Sequence, residues 1–282
     1  MFKTRLLSGI VLVVIALVTI ITGGYLLLGV LAALSVVAFL ELSKVAGIHT
    51  EGKKVNGLEI TGIACVVLYY VLLGMQEQLF ADAQMPMAMT LMMGAVIAVL
   101  VGFMFVYVFS FPKFKANQIM NAVFSFVYAP VMLSFLYLTR ALENGNYIVW
   151  MIIISSWGCD TCAYCVGMLI GKHKFAPKLS PKKSIEGAIG GVAGAAALGA
   201  LYGYFVSQNV QLSSNAVVAF AVIGGVGAVI SQVGDLAASG IKRDNEIKDY
   251  GKLIPGHGGV MDRFDSVIFT APMIYFLATL ML

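Results

Sequence analysis

Charge is what this sequence has least of. Only 11% of its 282 residues are Asp, Glu, Lys or Arg, against about 25% in an average soluble protein. A surface so poor in charge excludes a water-soluble globular enzyme. Disorder is excluded too, because it requires low hydrophobicity and high charge. Cysteines number four (Cys65, Cys159, Cys162 and Cys165) and all fall in apolar runs, which argues against a secreted disulfide framework. No internal repeat is visible, which weakens a secondary transporter built from inverted halves. An apolar run follows Met1-Phe2-Lys3-Thr4-Arg5 without a small-residue cleavage site, so a retained first helix is expected rather than a removable signal peptide.

What the sequence has instead is apolar surface, at 60% of all residues. Apolar runs lie at about 6–22, 24–40, 58–74, 87–111, 119–138, 147–170, 185–206, 215–234 and 264–282. Spanning a bilayer takes about 20 such residues per helix. The expected fold is therefore an all-α polytopic membrane protein with about nine transmembrane helices. Gly23-Gly24 separates the first two runs, leaving one long tilted helix or two short ones open. With the N-terminus cytoplasmic and the C-terminus outside, the inner segments hold Lys3, Arg5, Lys44, Lys53, Lys54, Lys113, Lys115, Lys172, Lys174, Lys178, Lys182, Lys183, Lys242, Arg243, Lys248, Lys252 and Arg263. Of the 18 Lys and Arg, only Arg140 falls outside, a strong positive-inside split. The net charge of +4 is thus read as orientation, with no nucleic-acid partner. Residues 1–140 are expected to form a five-helix scaffold with no carboxylate deep in any span. Residues 141–282 are expected to carry the chemistry, with four helices and cytoplasmic loops at 171–184 and 236–263, the whole chain forming a single integral domain.

Four features in that second half bear on function. Asp160 lies inside an apolar run, and a carboxylate in a membrane helix usually faces the bundle interior or a polar cavity. At about 100° per residue, Ser156, Asp160, Tyr164, Gly167 and Gly171 share one stripe. The spacing of Cys159, Cys162 and Cys165 resembles a metal motif, but on a helix the thiols diverge and point away from Asp160, so they are read as small packing residues. The stretch Lys172–Lys183 carries five lysines and suits either phosphate oxygens or a topology anchor; Ser184 and Glu186 are placed to cap the helix that follows. Ser231, Asp235 and Lys242 share a helix face, on which Asp235 alone would pair with Lys242. Finally, Pro255-Gly256-His257-Gly258-Gly259 is a backbone able to approach a ligand closely. Asp262 and Asp265, flanking Arg263, lie on one face of a helix starting there and suit Mg2+ bound through oxygens and substrate phosphates.

These residues carry a resemblance. Ser239, Lys242, Arg243, Lys248, Asp249, Pro255 to Gly259, Asp262, Arg263 and Asp265 match without a gap the signature of the phosphatidate cytidylyltransferase (CDP-diacylglycerol synthase) family. Asp160, Ala163, Tyr164, Gly167, Gly171, Lys172, Pro177, Ser180 to Lys183, Glu186 and Gly187 resemble that family's upstream block, with Ser184 where threonine is expected. The cysteines are outside the pattern. The resemblance implies transfer of CMP from CTP to phosphatidate, releasing pyrophosphate, by a nucleotidyltransferase of phospholipid synthesis. It implies catalytic roles for Asp235, Lys242, Asp249, Asp262, Arg263 and Asp265. It places CTP and phosphatidate near Asp160, Tyr164, Ser180, Lys182, Lys183, Ser184, Glu186, Ser239, Arg243, Lys248, Gly256, His257, Gly258 and Gly259. Asp235, Asp262 and Asp265 would bind Mg2+, with a monovalent cation such as K+ sharing the region. The expected setting is the bacterial cytoplasmic (inner) membrane, with the site facing the cytoplasm among membrane lipids and a homodimer left open. A CTP-dependent polyprenol kinase and a secondary transporter are the competing readings.

Overall fold

The structure is a computed structural model, and it describes residues 2–49, 55–79, 85–208 and 215–282, with side chains described outside 2–6, 76–79 and 85–91. Lys53 and Lys54 of the orientation argument lie outside the described residues. Nine helices follow one another among the described residues: α1 (Phe2–Thr22), α2 (Gly24–Val45), α3 (Gly57–Leu79), α4 (Met85–Ser110), α5 (Ala116–Ala141), α6 (Gly145–Ile170), α7 (Ile185–Val206), α8 (Ala216–Asp244) and α9 (Met261–Met281). Eight of them are long and apolar enough to cross a membrane, and α1 adds a shorter apolar stretch, Leu7–Thr22. Large apolar side chains such as Val108, Phe109, Ile189 and Leu280 stand exposed on these helices. In water that surface would aggregate; in a bilayer it is the lipid face. The chain is an integral membrane protein of all-α type.

The sequence left residues 6–40 open between one helix and two, and there are two. Gly23 and Gly24 both take positive φ, 64° and 52°, a backbone that side chains with a Cβ rarely adopt, so the helix must break there.

The chain divides into two compact units. The first comprises residues 1–15, 22–134 and 249–261. Its core is aromatic. Phe39 of α2 packs onto Gly62 of α3, leaving no room for a Cβ. Tyr69 and Tyr70 meet edge to face at 5.6 Å, and Tyr69 meets Phe126 of α5 at 5.7 Å. Their hydroxyls do not go unpaired in the low-dielectric interior. Tyr70 donates to the Pro130 carbonyl (3.1 Å) and is paired with Ser35 (2.8 Å), while Tyr69 is paired with Ser134 (2.8 Å). Pro130 sits in a π turn, Val127–Val131, that interrupts α5, consistent with the hydrogen bond a proline cannot donate.

Two acids of the first-half helices are buried, each at a helix end rather than deep in a span. The α2 helix runs five residues past its apolar run, and Glu41 in its last turns is buried, as is Glu59 at the start of α3. Glu59 is held by the Asn56 backbone N–H (2.8 Å) and by His49 Nδ1 (2.9 Å).

The second unit comprises residues 16–21, 135–248 and 262–282. Its centre is a close-packed trio, α6, α7 and α8. Along α7, Gly187, Gly191, Ala195, Gly199 and Gly203 recur every fourth residue and are all buried. A Cβ on Gly187 would come 2.8 Å from the Ala163 carbonyl, and one on Gly191 would meet Cys159 Sγ at 2.9 Å. On the other side, a Cβ on Gly224 of α8 would lie 2.6 Å from the Ala195 carbonyl. Small residues let backbones approach where no hydrophobic force drives membrane helices together. Arg140 ends α5 by donating to the carbonyls of Ile20 (3.1 Å) and Ile21 (3.3 Å) at the end of α1, satisfying carbonyls that a helix terminus leaves open.

Candidate active site

Between α6 and α7 the lysine-rich segment is not a plain loop. It forms an antiparallel hairpin, β1 (Lys174–Ala176) and β2 (Ser180–Ser184), with Lys174 opposite Ser184 and Ala176 opposite Ser180. Glu186 anchors the hairpin's entry: its carboxylate accepts from the backbone N–H of Lys172 (3.1 Å) and of His173 (3.2 Å), and pairs with His173 Nδ1 (2.6 Å). Ser184 caps α7, its Oγ accepting from the Gly187 N–H at 3.1 Å. Gly167 and Gly187 leave the space this hydroxyl occupies; a Cβ on Gly167 would lie 3.0 Å from it.

The hairpin thereby holds Lys182 and Lys183 over a cavity of about 460 Å3 in the second unit, whose walls include Asp160 and Tyr164 of α6, Ser184, and Gln232 and Asp235 of α8. Asp160, Tyr164 and Gly167 share one wall, as the helical wheel requires. Ser156 does not join them. A π turn, Ile154–Gly158, inserts an extra residue just before Asp160 and resets the phase of the wheel. The Ser156 hydroxyl instead donates to the Ile152 carbonyl at 2.6 Å.

The ion pairs differ from those the sequence suggests. Asp235 pairs with Lys183, and Lys242 pairs with Asp262 at 3.0 Å. Asp235 and Lys242 are seven residues apart on α8, about 10 Å along the axis, whereas β2 and the first turn of α9 deliver a partner to each directly. The close approach of α8 and α9 comes at Gly234, where a Cβ would lie 2.9 Å from the Asp265 carbonyl. Asp265, whose Oδ1 accepts from the Ser266 N–H at 2.8 Å, thus has its backbone against α8 one residue before Asp235. Within this unit, then, the fold brings Asp160, Asp235, Asp262 and Asp265 into the company of Lys182, Lys183 and Lys242. Ser180 sits at the start of β2, off the cavity wall, and Ser239, Arg243 and Arg263 lie on the neighbouring turns of α8 and α9. Lys248, exposed, ends the unit's middle segment.

Asp249, Gly256, His257, Gly258 and Gly259 belong to the first unit. Their loop is a tight turn closed by a bridge between Ile254 and Gly258 (2.9 Å). Gly256 and Gly258 have φ of 77° and 88°, so these two positions require glycine. His257 Nδ1 is paired with Ser8 Oγ of α1 at 2.8 Å, and that hydroxyl also bonds the Pro255 carbonyl at 3.1 Å. Asp249 is exposed.

One contributor escaped the sequence reading. Gln232 lines the cavity and donates to the Ala188 carbonyl at 3.0 Å; its position one turn before Asp235, in an apolar run, was the available signal. Two of the three cysteines pack: Cys159 is buried beside the Ala228 carbonyl (3.8 Å), and Cys162 faces Gly194, whereas Cys165 is exposed. Among the described residues, no three His, Cys, Asp or Glu side chains already converge into a metal-holding group. The donor chemistry nonetheless fits Mg2+, which takes one or two carboxylates plus substrate phosphates rather than a dedicated protein cage.

A sequence model of the cytidylyltransferase family matches residues 3–281. The chain belongs to that family. Among curated proteins, it is 31% identical over 275 residues to the phosphatidate cytidylyltransferase of Staphylococcus aureus (strain COL), covering 96% of this chain and 97% of that one. It is 28% identical over 279 residues to the phosphatidate cytidylyltransferase of Bacillus subtilis (strain 168), covering 99% and 98%. Likeness of this extent spans both units of this cytidylyltransferase-family chain, including the hairpin, the acidic cavity and the glycine turn.

Proposed function

We propose that this membrane protein transfers the cytidylyl group of CTP to phosphatidate, forming CDP-diacylglycerol and pyrophosphate. The observation that carries the reading is the meeting of two surfaces in the second unit. The cavity under Lys182 and Lys183 shares Ala188 and Gln232 with an apolar groove of about 420 Å3 formed by α7, α8 and Phe175. A chamber lined by both lysines and aspartates thus opens beside a surface suited to acyl chains, which is what a reaction between a metal-bound nucleotide and a phospholipid needs.

A phosphate oxygen of phosphatidate attacks the α-phosphorus of CTP, and the bond from that phosphorus to the β-phosphate bridging oxygen breaks. That attacking oxygen is already ionised at neutral pH, so the protein need not supply a base or a nucleophile. Its work is to position the reactants and to neutralise charge. Lys182 and Lys183, on a hairpin fixed by Glu186, offer ammonium groups to the phosphates. Lys242, Arg243 and Arg263 add positive charge at the ends of α8 and α9. Asp235, Asp262 and Asp265 would hold Mg2+, with a monovalent cation sharing the region. When bound, the metal supplies charge neutralisation for the triphosphate. In this reading Lys183 and Lys242, now paired with Asp235 and Asp262, would turn to phosphate oxygens, and the carboxylates they leave would be available to hold the metal. The cavity faces the cytoplasm of a bacterial inner membrane, with the N-terminus inside and the C-terminus outside.

Label partition tests this reading. With CTP labelled at the α-phosphate, purified protein, phosphatidate and Mg2+ should put the label into lipid and release unlabelled pyrophosphate. Label reaching lipid from the γ-phosphate instead, with CDP released, would make the protein a lipid kinase. Ion-gradient-driven uptake without CTP consumption would make it a transporter.

A further inference from the structure

Glu41 is a buried acid, 6% exposed, in the last turns of the otherwise apolar helix α2. Its two carboxylate oxygens accept hydrogen bonds from the backbone N–H of Val260 (3.1 Å) and Met261 (2.9 Å), some 220 residues further along the chain. Met261 is the first residue of α9, so these donors belong to the group that every helix N-terminus leaves without an intrahelical partner. The carboxylate also meets the positive end of the helix dipole. Charge-assisted bonds of this kind offset much of the cost of burying the acid.

The glycines around it fit the same account. A Cβ on Gly251 would lie 2.8 Å from Glu41 Cδ, and one on Gly259 would lie 2.6 Å from it. Gly259 was read from the sequence as a residue for close approach to a ligand; the atoms it approaches are those of Glu41. The turn is gripped a second time by Ser8 at Pro255 and His257. The segment 249–261 is therefore not a free loop but is clasped at both ends of its glycine turn by side chains of α1 and α2.

We propose that Glu41 is a positioning residue for the reaction: it fixes where α9 begins, and so the angle at which Asp262, the next residue after Met261, leaves the turn. The inference rests on the proposed role of Asp262. A small rotation at the first turn of a helix moves the carboxylate that follows by a distance comparable to a bond length, and a misplacement of about 1 Å at a reacting centre can cost roughly 100-fold in rate. Glutamine at this position keeps the size but turns one acceptor into a donor facing an N–H.

The test compares Glu41→Gln and Gly251→Ala with wild type, using full-length protein in detergent. Three quantities are read: hydrogen exchange of residues 255–262, kcat per folded molecule, and the Mg2+ concentration for half-maximal rate. Expected are faster exchange confined to that segment, a fall in kcat of roughly 10- to 100-fold with little change in the KM for CTP, and a raised Mg2+ requirement. Wild-type kcat and Mg2+ dependence in either folded variant would overturn the proposal. Exchange unchanged at 255–262, or both variants unfolded throughout, would overturn it equally, because Glu41 would then serve nothing in particular or stability alone. A wild-type protein that makes no CDP-lipid refutes the proposed function instead, and the exchange measurement still reports on the clasp.

Discussion

Replacing Lys242 by Met removes one half of an ion pair that the fold has almost closed off from solvent. The two side chains are 12% and 2% exposed and meet at 3.0 Å. An exposed pair would matter little, at about 0.2–1 kcal/mol. Breaking a buried pair from one side costs about 3–5 kcal/mol, because the remaining charge loses its counter-ion where water does not reach. The methionine keeps the unbranched stem, so packing changes little and the cost comes from Asp262 losing that counter-ion. A second variant separates the two contributions. Lys242→Met combined with Asp262→Leu removes the stranded charge, and the pair should recover about 0.5–3 kcal/mol relative to the sum of the single changes. Unfolding of the detergent-purified proteins, followed by thermal or denaturant titration at fixed lipid-to-detergent ratio, gives all four corners of the cycle. If Lys242→Met unfolds within about 0.5 kcal/mol of wild type, the level of an unremarkable surface change, or if the two changes simply add, the buried pair is not what joins α8 to α9.

Further expectations follow from the same geometry. Asp262→Asn keeps size and an acceptor for Lys242, so the protein should fold and insert yet lose turnover, and EDTA should reproduce that loss on wild type; near-normal rates at saturating Mg2+ would remove Asp262 from the metal set. Changing Cys159, Cys162 and Cys165 together to Ala should leave most activity, since one is buried in packing and another faces a glycine; stoichiometric iron or zinc in the pure protein, lost with these changes, would contradict this. A cysteine placed at exposed Lys252 should react with an impermeant thiol reagent only from the cytoplasmic face of sealed vesicles, and added CTP should be consumed only from that face. Equal labelling from both faces would overturn the nine-span orientation.

The spans were readable because membrane helices need length and hydrophobicity, and both are visible in a single sequence. The cap at Ser184 was readable for a similar reason, since a hydroxyl ahead of a glycine-rich helix has few other uses. The hairpin at 174–184 was not. Four lysines and two prolines give no period-2 apolar pattern, and its entry is held by Glu186 rather than by a buried face. Ser156 was misplaced because a wheel of fixed pitch cannot contain a π turn. The partners of Asp235 and Lys242 were misassigned because a local face was visible while β2 and the start of α9 were not. Glu41 was hidden most thoroughly. It lies just past an apolar run, and its partners lie some 220 residues away, a distance no spacing argument reaches.

The claim most in need of a direct measurement is that chemistry takes place in the cavity between β2, α6 and α8. Ala188 lies on the border of that cavity and the apolar groove. In a background with the four native cysteines replaced, Ala188→Cys should be modified by a bulky charged thiol reagent, and turnover of CTP and phosphatidate should fall in step with the modified fraction measured by mass. CTP and phosphatidate together should protect both the thiol and the activity. A protein fully modified at position 188 that still turns over at the unmodified rate would show that the reaction happens elsewhere.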